Sequence, residues 1–325
     1  MGASLPPTVP GTAVIPVGIS ACLLGMRVRH DGGHKRDAFC VGELAAWFRW
    51  QPVCPESELG LGTPREAIHL RRGADGLRLV GVRSGHDHTA GMHALADHVL
   101  PEFGGLCGFV VSKRSPTCGL ERVRMYDAQG GALPESTRGL FTARLMARWP
   151  LLPVEDEGRL NDPQLRENFV MRVFVLWRWQ QLRAAGLTAQ RLTDFHAAHK
   201  YLLMAHNGAA YRSLGRLLAD FSAADPERIA DDYIRILMPA LATPASRSRH
   251  GNVLMHMAGH FRAHLSSAHR TRLRSVIDDY LQGLVPLSAP LTLIRHFLAD
   301  HPDPWLERQV YLQPYPDVLR LRAFL

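Results

Sequence analysis

Three cysteines frame the question of what this chain does. Cys22 follows the apolar run 13–20, Cys54 follows the largely apolar stretch 47–53, and Cys118 stands a few residues beyond the run 107–111. The five cysteines are an odd number and all lie within the first 118 residues, which favours metal binding or catalysis over disulfides. No C-x-x-C pair occurs, so zinc-ribbon spacing is absent. In a parallel sheet, strands joined by right-handed crossovers end on one edge, so thiols remote in sequence can converge there. Three thiolates without a fourth suit a [4Fe-4S] cluster that keeps one iron open to a substrate. On spacing alone, zinc and unrelated buried cysteines stay open as alternatives. Cys40 and Cys107 read as small buried residues.

The stretch 53–66 crowds a thiol, three acids, two glycines and an arginine around two prolines, the composition of a site rather than of a core. Residues 28–37, charged on both sides of Asp31-Gly32-Gly33, read as a loop closing over something polar.

The elements that must position these residues follow from periodicity. Residues 13–20, 107–111 and 123–126 suit strands, and 68–70 with 77–82 suit a hairpin. Helices are expected over 38–49, with Leu44, Trp47 and Phe48 on one face, over 86–103, with Asp87 or Thr89 as N-cap, and over 142–149. Residues 150–163 have prolines at both ends and acids between, as a linker does. Beyond them helical patterns fill 164–185, 188–203, 209–221, 226–241, 251–265, 268–283 and 290–298. The expectation is an α/β N-terminal domain, Rossmann-like with a mostly parallel sheet, over 14–150, followed by an all-α C-terminal helical domain over 164–325.

At 325 residues and 46% hydrophobic, the chain can fill two cores. No run of about 18 uncharged apolar residues exists, and residues 1–14 form a Pro/Gly-rich lead-in without the order of a signal peptide. A cytoplasmic protein with no membrane association and no obligatory protein partner is expected. Net charge is +8, and it is uneven: residues 1–160 carry 18 Lys+Arg against 16 Asp+Glu, residues 161–325 carry 20 against 14. The second half is where phosphate contacts are expected. Two of its stretches stand out as polar, one with His196, His199, Lys200, His206, Tyr211, Arg212 and Arg216, the other with Arg247, Arg249 and His256. Histidines at 196, 199 and 206 share a helical face, but carboxylate ligands are missing and Lys200 intrudes. Basic groups beside Tyr201 and Tyr211 suit phosphates and stacked bases better than a metal.

Together Ile19-Ser20-Ala21-Cys22-Leu23-Leu24-Gly25, the loop 29–37, Cys54-Pro55-Glu56 with residues 60–66, Asp87-His88-Thr89 and Ser115-Pro116-Thr117-Cys118-Gly119 resemble the TudS-like thiouracil desulfidases over about residues 14–145. Thr117 departs from the serine expected there. The resemblance implies that Cys22, Cys54 and Cys118 hold a [4Fe-4S] cluster whose open iron takes a thiocarbonyl sulfur, and that the base leaves with oxygen in its place. Within that reading Glu56, two residues from Cys54, is expected to move the proton of the attacking water, and Ser115 to orient the water or donate to the base. Asp31, Lys35, Arg65 and Lys113 are expected to touch substrate or balance cluster charge. Residues 164–325 resemble the helical YbgA-type domain fused behind some desulfidases. The fused form resembles enzymes that convert 4-thiouridine in tRNA to uridine with release of sulfide, and implies tRNA as partner. The RNA contacts expected are His199, Lys200, His206, Tyr211, Arg212, Arg216, Arg247 and Arg249. The alternatives are a desulfidase of free thiouracil or another small thiocarbonyl, and an iron-sulfur nucleic-acid-binding protein without turnover.

Overall fold

The computed structural model describes residues 14–74, 76–219 and 226–325. The lead-in expected over residues 1–14 falls, but for Val14, outside them, as does the end of the helix expected over 209–221. The described residues form two compact units, one ending at Asn161 and one running from Asp162 to Leu325. No helix among them is long and apolar enough to cross a membrane.

The first unit is built on two four-stranded sheets. In the first, β1 (Ile15–Ser20) pairs in parallel with β2 (Phe48–Val53) on one side and with a strand at Phe109–Val111 on the other. Burial of β1 at every position but Pro16 fits the mostly apolar run of a central parallel strand covered on both faces. The expected helix over 38–49 is a single turn, α1 (Ala38–Val41), and then turns lead into β2. Trp47 and Phe48 satisfy a helical face and a strand equally well. Pairing of Ile15 with Phe48 decides for the strand.

The short helix α2 (Pro55–Glu58) follows β2 directly. The second sheet contains the expected hairpin, β3 (Ile68–Gly73) against β4 (Gly76–Gly81). Helix α3 (Thr89–Val99) comes next, shorter than expected because Pro101 redirects the chain into a 3-10 turn. Asp87 accepts from the Thr89 amide just before it (2.8 Å), whereas the Thr89 hydroxyl accepts from Leu79 N (2.8 Å) and ties α3 to β4. Then come β5 (Phe109–Val111), β6 (Val123–Tyr126), β7 (Ala132–Thr137) and α4 (Leu140–Arg148). Strand β6 lies parallel to β3 and antiparallel to β7.

Residues 150–163 are not a linker. Val154–Asp156 is β8, the fourth strand of the first sheet, paired in parallel with β5. Its acids are buried because each has a partner: Arg159 Nε donates to Glu155 (2.6 Å), and Asp156 accepts from Arg159 N (2.9 Å).

The second unit is all helical. Asp162 caps α5 (Pro163–Ala184), which has buried residues on every side, as befits the central helix of a bundle. Around it lie α6 (Ala189–Ala198), α7 (Lys200–Ala219, kinked at Asn207), α8 (Pro226–Ala242), α9 (Arg247–His260), α10 (Ser267–Gln282), α11 (Ser288–Asp300) and the single turn α12 (Pro304–Glu307).

This interior is unusually polar. Glu167 on α5 accepts from Tyr315 Oη (2.9 Å) and Arg322 Nε (3.0 Å), all three buried. His250 contacts Tyr311 Oη (2.8 Å). Burial holds His196 down to about 4 and His199 down to about 3, and lowers His206 and His250 as well. These residues are neutral in the fold, while in an unfolded chain each takes a proton near its ordinary value of about 6.5. Their stabilising contribution is therefore complete above that value and lost as pH falls through the window towards about 4 and 3. Thermal melts of the full chain should show the helical unit losing stability from pH 7.5 to pH 5, with a shallower loss for His199→Asn. A melting temperature that does not change over that interval would contradict this.

Candidate functional site

The register of the first sheet sets the site. Ser20, last in β1, is paired with Val53, last in β2, so Cys22 and Cys54 leave the same edge two residues and one residue later. Ile19 is paired with Val110, which brings Ser112, just beyond β5, to that edge too. The loop after β5 returns Cys118 to the same place. Gly119 N donates to Ser115 O (2.8 Å), and Thr142 Oγ1 donates to Cys118 O (2.6 Å). Gly139 closes the turn from behind, where a Cβ would lie 2.4 Å from Thr117 O, so no larger residue fits.

Cys22, Cys54 and Cys118 all line one cavity of about 410 Å³, together with Arg29, His30, Lys35, Arg65, Lys113 and Ser115. Burial pushes the Cys22 thiol up, with the nearby Cys54 adding to the rise, and pushes Cys118 up to about 12, with Glu56 and Cys22 adding. As free thiols they are held protonated, and a bound cation is what would draw the thiolates out. Hydroxyls stand ready beside the sulfurs. Ser57 Oγ donates to Cys54 Sγ (3.3 Å), Thr117 Oγ1 lies 3.6 Å from Cys118 Sγ, and Ser112 bonds Cys22. Among the described residues no three His, Cys, Asp or Glu side chains meet closely enough to hold one metal ion. Three sulfurs spread around a cavity are instead a donor set for a larger inorganic group, and a soft one. Cys40 and Cys107 are buried and absent from the cavity wall, as small core residues should be.

Glu56 is gripped at both oxygens. Arg65 Nε (3.1 Å) and Nη2 donate to Oε2, and Thr117 Oγ1 donates to Oε1 (2.8 Å), with Ser115 Oγ at 3.5 Å. Arg65 is only 4% exposed and spends its remaining donors on Val28 O (3.0 Å) and Gly62 O (2.8 Å). It therefore holds the carboxylate rather than reaching for a ligand. Ser115 Oγ also accepts from Thr117 N (3.2 Å) and Cys118 N (3.1 Å), which fixes the turn carrying the third sulfur.

Of the other predicted site residues, Lys35 and Lys113 line the cavity, and Lys35 Nζ pairs with Glu157. Asp31 is a correction: it lies outside the cavity wall, 53% exposed, where its carboxylate accepts from Gly33 N (2.9 Å) and shapes the turn of its own loop. Thr117, Glu157, Ser57 and Ser112 were not anticipated from sequence. Glu157 also accepts from Lys113 N (2.8 Å), so the stretch expected to be a linker orients the cavity's cations.

In the helical unit His199 and His206 are likewise corrected. They are 2% and 3% exposed, and their Nδ1 atoms contact Phe195 O (2.7 Å) and Thr243 O (2.8 Å), so neither faces a partner. Arg212, Arg216, Arg247 and Arg249 are exposed, with Lys200 and Tyr211 half-buried. Tyr211 is stacked on His196 (5.0 Å), and Lys200 lies over Trp305 (4.9 Å).

The chain is similar to known proteins in both of its parts. Residues 17–157 match the family model of 2-thiouracil desulfurase, and residues 200–316 match that of a protein family of unknown function, DUF1722. The Escherichia coli (strain K12) protein YbgA, itself uncharacterized, is 36% identical over 164 residues, covering 50% of this chain and 97% of that protein. A solved [4Fe-4S]-dependent thiouracil desulfidase, TudS, aligns at 32% identity over 46% of this chain and 93% of its own. The TM-score of 0.36 is too low for the superposition itself to carry weight.

Removing one partner of a buried ion pair leaves the other charge stranded, at a cost of about 3–5 kcal/mol. Arg65→Met should therefore destabilise the first unit by that order. Adding Glu56→Gln should recover part of the loss, and urea melts of the two single variants and the double would show it. Strict additivity would mean that the pair does not act as one.

Proposed function

Because the chain belongs to the family of YbgA and carries a 2-thiouracil desulfurase domain ahead of that part, we propose that it is a desulfidase that converts 4-thiouridine in tRNA to uridine. The observation that carries the desulfidase reading is the convergence of Cys22, Cys54 and Cys118 on one cavity that Glu56 also lines. Held by those three thiolates, a [4Fe-4S] cluster supplies an open, soft iron for the sulfur of a thiocarbonyl.

The remaining work falls to the chain's own side chains. Water must add at the carbon that bears the sulfur, oxygen replaces sulfur there, and the sulfur leaves as sulfide with no net transfer of electrons. Arg65 holds Glu56 turned so that Oε1 faces Thr117 and Ser115, and at Oε1 the carboxylate takes the proton of the incoming water. Ser115, whose hydroxyl already touches Oε1, orients that water. Lys113 and Lys35, with Arg29 beside them, give the cavity wall positive charge suited to an anionic substrate or to the charge of a bound cluster. Arg65, on the cavity wall, acts through the carboxylate it holds.

The tRNA part rests on the charge of the helical half, 20 Lys+Arg against 14 Asp+Glu over residues 161–325, which a free base would not require. The cavity of about 410 Å³ also accommodates a free thiolated base, so free thiouracil is the second substrate to measure.

The test is mass spectrometry of nucleosides from thiolated tRNA after anaerobic incubation with the reconstituted protein. Loss of 4-thiouridine matched by gain of uridine and sulfide is expected. Glu56→Gln should keep its iron and lose about 10²–10⁴-fold in rate, the usual worth of a positioned proton carrier. Turnover of free thiouracil with none on tRNA would remove the RNA half of the proposal. Unchanged activity in Glu56→Gln would remove that residue's role.

A further inference from the structure

Of the RNA contacts expected in the polar stretches, His199 and His206 are interior, while Arg212, Arg216, Arg247 and Arg249 are exposed. A different surface stands out by the acids it lacks. From Tyr233 to Ile277 the chain has no Asp or Glu in 45 residues, and the same stretch holds seven arginines and five histidines. It comprises the second half of α8, all of α9 and most of α10, and α9 packs against α10.

The charge gathers where α9 passes into α10. Arg262, His264, His269, Arg270 and Arg272 are all exposed there. Arg270 Nη1 donates to Arg262 O (3.0 Å) and Leu265 O (2.7 Å), which ties the first turn of α10 to the end of α9 and leaves the rest of its guanidinium outward. Among the described residues Arg262 and Arg272 have no carboxylate within ion-pair distance. Beside the end of α11, His301 is stacked on His264 (5.6 Å) and Phe297 lies against His269 (5.6 Å), and the two acids there face histidines, Asp300 with His296 (3.6 Å) and Asp303 with His260 (2.8 Å).

The exposed arginines beside α8 are paired instead, as is Arg274 further along α10, with Asp278 (3.8 Å). Arg183 reaches Asp231 (2.6 Å) as well as Glu227, and Arg228 and Arg235 share Asp232 (3.9 and 3.7 Å). Uncompensated guanidinium groups repel one another, and a row of phosphates relieves that repulsion while releasing condensed counterions. Guanidinium groups also match phosphate oxygens in geometry.

We propose that the α9–α10 corner, through Arg262, Arg270 and Arg272, is the surface that holds the phosphate backbone of RNA. This rests on the tRNA reading above and gives it a place on the molecule. Contacts of this kind are indifferent to base sequence. The helical unit thus supplies grip, and the choice of the thiolated base is left to the cavity of the other unit.

The test is fluorescence anisotropy of the full-length protein with unthiolated tRNA over a series of salt concentrations, wild type against Arg262→Ala/Arg272→Ala. The control is Arg228→Ala/Arg235→Ala on the compensated face. Loss of two phosphate contacts should weaken binding about tenfold or more and shallow the slope of log affinity on log salt by about 1.4–1.8, at roughly 0.7–0.9 per contact. The control should bind like wild type, and circular dichroism should be unchanged in both. Equal affinity and slope in the Arg262/Arg272 variant would overturn the assignment, as would a loss of equal size in the control. Wild-type protein that binds phosphatidylserine vesicles and not tRNA would overturn it in favour of a membrane surface. The desulfidase reading fails separately, as wild-type protein that binds thiolated tRNA and releases no sulfide.

Discussion

The site depends on one constraint, the parallel pairing of β1 with a strand on each side. Because Ser20 is level with Val53 and Ile19 with Val110, three chain segments leave the sheet at one edge, and their next few residues are forced into each other's company. Two sulfurs follow within two residues of that edge. The third comes from the loop after β5, held by the Ser115 turn and by the close approach of Gly139 to Thr117. A slip of one residue in either pairing would shift one cysteine-bearing segment along that edge relative to the others, so the register of β1 also fixes where the thiols stand.

Placing charge at that edge brings a second requirement, because an unpaired carboxylate or guanidinium out of water is costly. Here each is matched. Arg65 takes one oxygen of Glu56 and Thr117 the other, and Glu157 faces Lys35 and the amide of Lys113. The same pairings that let these groups be buried also aim them. Lys35, otherwise a long and freely rotating side chain, is directed by a carboxylate from the far end of the unit. The helical unit pairs Glu167 with Arg322 in the same way and adds histidines kept neutral by burial.

The legible parts of the sequence were those where local pattern and tertiary role agree. The apolar run before Cys22 announced a buried strand, the largely apolar stretch before Cys54 a second strand ending at the same edge, and Gly73 with Gly76 marked the hairpin. Misreadings arose where a residue's type fits two settings. Trp47 and Phe48 suit a helical stripe as well as a strand, and only pairing with Ile15 separates the two. The acids of 155–157 read as solvated until Arg159, one turn further on, and Lys35, from far earlier in the chain, are brought beside them. Mostly exposed β7 carries no apolar alternation to betray it. His199 and His206 looked like surface groups because their type is polar. Their carbonyl partners, Phe195 and Thr243, leave no periodic mark in the sequence.

The central claim is that three protein sulfurs surround a group that needs a fourth ligand from elsewhere. Mössbauer spectroscopy of the protein reconstituted with iron-57 and sulfide under anaerobic conditions tests it most directly. One iron of the four should be distinct from the other three, and its signal alone should move when a thiolated base is added. Four equivalent irons that ignore the base, or the same spectrum from Cys54→Ala, would contradict the account.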